Sequence, residues 1–79
     1  MTVMHTDTPL PTPTDALLLL ADAAEPDAAE HLRRVHRSLP YWAPETVEPR
    51  AAQLYVDLLT LGAEPALAGT AARLVRSVA

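Results

Sequence analysis

Three groups of side chains in this 79-residue sequence are of a type that could do chemistry. His31 and His36 are the first, a would-be metal pair. Five residues apart on a helix they stand about 140° from each other, on opposite flanks of its apolar stripe, so they cannot hold one ion from that helix alone. Asp27 and His31 are four apart and share a flank. That spacing allows a carboxylate–imidazole pair, which reads as a solvated ion pair or, at most, a pH-responsive group. Ser38 and Ser77 fall at helix ends without a histidine or acid at motif spacing. Cysteine is absent, and two glycines cannot build a phosphate-cradling loop. This inventory predicts a protein that is not an enzyme and takes no metal and no cofactor.

The second group is the arginines. Arg33, Arg34 and Arg37 line a solvated face in which Glu30 and Arg34 make an i,i+4 pair, a contact worth about 0.2–0.5 kcal/mol. Their sharper use is a patch for an anion or an acidic partner. The third group is Tyr41-Trp42, adjacent aromatics in a proline-bounded connector, among only three aromatics in the chain. Such a pair either plugs the open end of a helical bundle or anchors a partner.

The elements that must position these residues are organised by an internal echo. Shifted by 39 residues, Leu19 to Ser38 re-reads as Leu58 to Ser77 with nine coincidences, where chance supplies roughly two or three. Arg34 and Arg37 recur as Arg73 and Arg76, and the four would form one surface if two equivalent halves stack side by side. The expected architecture is all-α, four short helices arranged as two helical hairpins.

Prolines set the boundaries. Residues 1–12 form a Thr/Pro-rich leader expected to be flexible, since Pro9, Pro11 and Pro13 push their predecessors out of helical space. A single helical domain follows over 13–79, with hairpin one at 13–39, a linker at 40–45 and hairpin two at 46–79. Thr12 should cap the first helix, with Pro13 in its first position and Asp15 completing a capping-box pattern. Pro26 opens a second helix that runs to about Leu39. Thr46 should cap the third, which ends at Leu61 where Gly62 supplies a left-handed stop, and Pro65 opens the fourth.

Apolar spacing supports this division. Ala28, Leu32, Val35 and Leu39 lie within about 60° of one another on the second helix, and Leu67, Ala71, Leu74 and Val78 repeat the pattern on the fourth. The two stripes complement each other in size, as expected if equivalent helices meet across a pseudo-twofold axis. Ala51, Leu54, Tyr55, Leu58 and Leu61 make the face of the third. On the first helix, Leu17 to Leu20 point all the way round. That helix is either central in the bundle or has a face, including Leu18, left for another chain.

A core drawn from about 65 residues typically supplies only ~3–5 kcal/mol, so a protein partner, a homodimer or both would add the missing buried area. The formal charge of −4 argues against nonspecific nucleic-acid binding, and no segment is long and apolar enough to span a membrane. The absence of Lys, Ile, Asn and Phe reads as the codon bias of a GC-rich, bacterial genome, and a cytoplasmic location is the default expectation.

Three functions fit these readings. The favoured one is a small non-catalytic protein–protein interaction module, a regulatory, adaptor or accessory subunit, with Leu18, Arg34, Arg37, Tyr41 and Trp42 as candidate partner-binding residues. The alternative starts from Gln53 to Arg76, which loosely resembles a helix-turn-helix over helices 46–61 and 65–78. That resemblance implies a DNA-binding transcriptional regulator, although Ala66 to Ala72 offers base edges almost no polar side chain. A third is a two-unit fragment of a HEAT or tetratricopeptide stack, from which the tetratricopeptide signature residues are missing.

Overall fold

The computed structural model describes residues 12–78, which form four α-helices. They are α1 (Pro13–Ala23), α2 (Pro26–Ser38), α3 (Val47–Thr60) and α4 (Pro65–Val78), and no strand occurs among the described residues. The expected all-α fold is therefore the observed one. The leader, apart from Thr12, lies outside the described residues.

Local chemistry sets most boundaries where the sequence places them. The amide of Asp15 donates to Thr12 Oγ1 at 3.1 Å, and Pro13 fills a first-turn position whose N–H would have no partner. Pro26 likewise opens α2, and Ala29 N donates to Glu25 O at 2.7 Å. At the end of α3, Gly62 adopts φ +94°, Gly62 N donates to Leu59 O and Ala63 N to Leu58 O. Together these bonds form a Schellman motif, which a glycine enters without the strain a Cβ would bring.

Two boundary details differ from expectation. The connector is a pair of 3₁₀ turns, Leu39–Tyr41 and Pro44–Thr46, with Trp42 and Ala43 extended between them. Thr46 belongs to the second turn and does not cap α3 with its side chain. Its backbone is already helical, so its hydroxyl donates backward to Ala43 O at 2.7 Å and accepts from Arg50 Nε at 3.2 Å.

Leu17, Leu32, Leu54, Leu58 and Val75 are the largest fully buried side chains, one or two from each helix. α1 packs closely against α2 and α4, and α3 packs closely against α4. The expected meeting of α2 with α4 is thus replaced by α4 lying between α1 and α3. Its buried face moves accordingly, to Ala68, Ala71, Ala72 and Val75, while Leu67, Leu74 and Val78 sit half-buried at the margin. The rotation is about 80° and has a steric cause. Interaxial distance is set by the side chains at the contact, and alanines let two neighbours approach one helix at once. Among the described residues one ion pair crosses each hairpin: Arg33 Nη2 to Asp22 at 3.2 Å in the first, and Arg76 Nε to both Glu48 oxygens at 3.0 and 2.9 Å in the second.

Candidate functional site

The remaining seam, between α2 and α3, stands open. His31 Nε2 lies 3.5 Å from Asp57 Oδ2 and bridges the seam at one end. At the other end the Arg50 guanidinium sits 5.0 Å above the Trp42 ring, a cation–π stack. Arg50 and Asp57, one at each end, are seven residues apart on α3, about 10 Å along the helix. Between them runs a groove of about 310 Å³ with Val35 and Leu54 as its floor and Arg34, Ser38, Arg50 and Gln53 along its rim. α2 and α3 therefore run antiparallel here.

Each side chain is held by local bonds. Ser38 Oγ donates to Val35 O at 2.9 Å and accepts from Trp42 Nε1 at 2.9 Å, which fixes the indole against the end of α2. Gln53 Nε2 donates to Asp57 Oδ1 at 2.8 Å, so Asp57 is shared between that amide and His31. The expected partner of His31, Asp27, is exposed in the first turn of α2, and the pairing runs across the seam instead. Arg34 Nη2 reaches Glu30 at 3.1 Å, as its i,i+4 spacing predicts. Arg50 has no ion pair among the described residues.

The five candidate residues divide into two sets. Arg34 and Trp42 meet in the groove. Trp42 is half-buried and also walls a second cleft at the end of the bundle, of about 310 Å³, with Leu39, Pro44, Val47 and Val78. Tyr41, its neighbour in sequence, is 87% exposed and lines neither cleft. Arg37 is exposed one turn beyond Arg34. Leu18, 37% exposed, lies with the 59%-exposed Leu19 on the outer face of α1, away from the groove. The leucine quartet thus splits: Leu17 is buried, Leu20 half-buried, and the other two are on the surface.

Of the four repeated arginines, Arg34 lines the groove between α2 and α3, Arg73 and Arg76 line that between α3 and α4, and Arg37 lines neither. Sequence reading missed Arg50 and Gln53, although Arg50, Gln53 and Asp57 form a polar stripe at i, i+3 and i+7 beside the buried Ala51, Leu54 and Leu58. It also missed Val56 and Leu59, exposed on the outer face of α3 at i and i+3.

The Ser38 hydroxyl has its proton and a lone pair engaged, and no cluster of three or more metal-ligating side chains occurs among the described residues. No helix among the described residues is long and apolar enough to cross a membrane. No protein-family model, curated protein or solved structure matches this chain.

Proposed function

We propose that this chain is a small non-catalytic module that binds protein, receiving a segment of another chain in the groove between α2 and α3. One observation carries the reading. The open seam between α2 and α3 combines an apolar floor, the chain's single tryptophan and an arginine without an ion-pair partner among the described residues. Trp and Arg are the side chains that most often dominate binding energy at interfaces, and a groove two helical turns long suits a short peptide segment. Leu18 and Leu19 offer a separate apolar face for a second copy or another subunit.

Selection of a random heptapeptide library on the full chain tests the reading. Enriched peptides should be held by the native chain and released by Gln53→Phe, which fills the groove from its rim and leaves the buried core untouched. Failure to enrich any peptide, or equal retention by the filled variant, rejects the groove as a docking site.

A further inference from the structure

We infer that the segment received in the groove is acidic, with carboxylates set against Arg50 and Arg34 and one apolar side chain seated against the Trp42 ring above Val35. The inference rests on the docking reading above and adds the partner's chemistry. A chain of formal charge −4 repels acidic partners in general, so the local balance of charge decides the matter.

Within the groove the acidic group is already satisfied. Asp57 accepts from Gln53 and faces His31. Glu30 lies outside the groove lining, and its exposed pair with Arg34 is of the weakly held kind that a better-placed carboxylate can displace. Arg50 is the uncompensated charge. Its Nε is engaged by Thr46 and its plane by the indole, while its terminal amino groups have no acceptor among the described residues. Held in place from two sides, that guanidinium presents the planar fork that pairs with carboxylates. The apolar wall sets the second half of the specification, because the half-buried Trp42 ring, above the covered Val35 and Leu54, gains from an apolar group laid against it.

The composition of the enriched peptides is the first readout. Retained sequences should carry Asp and Glu in excess of Lys and Arg, together with an aliphatic or aromatic residue. One retained acidic heptapeptide is then titrated into the full chain while the fluorescence of Trp42 is followed. Arg50→Gln should weaken binding about tenfold, the loss expected for one charge-assisted contact, and Arg34→Gln should weaken it less. Arg73→Gln, outside the groove, should leave it unchanged. Raising salt from about 0.05 to 0.5 M should weaken binding to the native chain. An enriched set without acidic excess, an unchanged affinity in Arg50→Gln, or displacement by a single-stranded oligonucleotide at equal concentration overturns the acidic assignment and leaves the docking reading standing. Absence of any enriched peptide overturns both.

Discussion

The α1–α4 and α2–α3 seams are counterparts, since each joins one helix of the first hairpin to one of the second, and the internal echo would make them equivalent. They are built oppositely. α4 brings alanine at 68, 71 and 72, and its neighbours close on it. α2 and α3 bring His31, Arg34, Gln53 and Asp57 to their shared edge, and long polar side chains hold the two backbones apart. A 39-residue echo that preserves prolines and arginines thus does not preserve the packing, because what each seam does depends on side-chain volume at a few positions.

The most damaging way to break this contrast is to enlarge the closed side. Ala71→Leu inserts three carbons where no space exists and should cost about 1–3 kcal/mol or more, most of what so small a core supplies. Urea titration followed by circular dichroism checks it. Gln53→Leu, a similar bulk placed on the open side, should shift the midpoint by less than about 0.5 kcal/mol. Equal losses in both variants would erase the distinction between the seams.

Smaller effects sharpen the picture. Ser38→Ala removes the acceptor for the half-buried indole N–H and should destabilise by about 1 kcal/mol, with a shift in Trp42 emission as its signature. Gly62→Ala forces a Cβ into a left-handed backbone and should cost about 1 kcal/mol in thermal unfolding. Asp57→Asn weakens the partly exposed bridge to His31 across the open seam and should cost no more than about 0.5–1 kcal/mol.

Helix existence and most boundaries were legible because they rest on local chemistry. Thr12, Pro13, Pro26, Gly62 and Pro65 act within one turn of themselves, and the structure uses each as the sequence suggests. The stripe of α2 was legible for the same reason, since one neighbour covers one face. α4 was misread because two neighbours widen its buried arc, and spacing alone cannot say how many helices lie beside a given one. The groove was half legible. Trp42 and Arg34 stand out by type, whereas Arg50 gains meaning only when the connector folds the indole beneath it, a contact between residues eight apart through one 3₁₀ turn and the start of α3.

Trp42 walls both the groove and the cleft at the bundle's end. Any occupant that swings the indole in one space reshapes the other, so the two spaces would communicate through a single ring. Such coupling is reciprocal by thermodynamic necessity: the factor by which filling one alters affinity at the other is the same in either order.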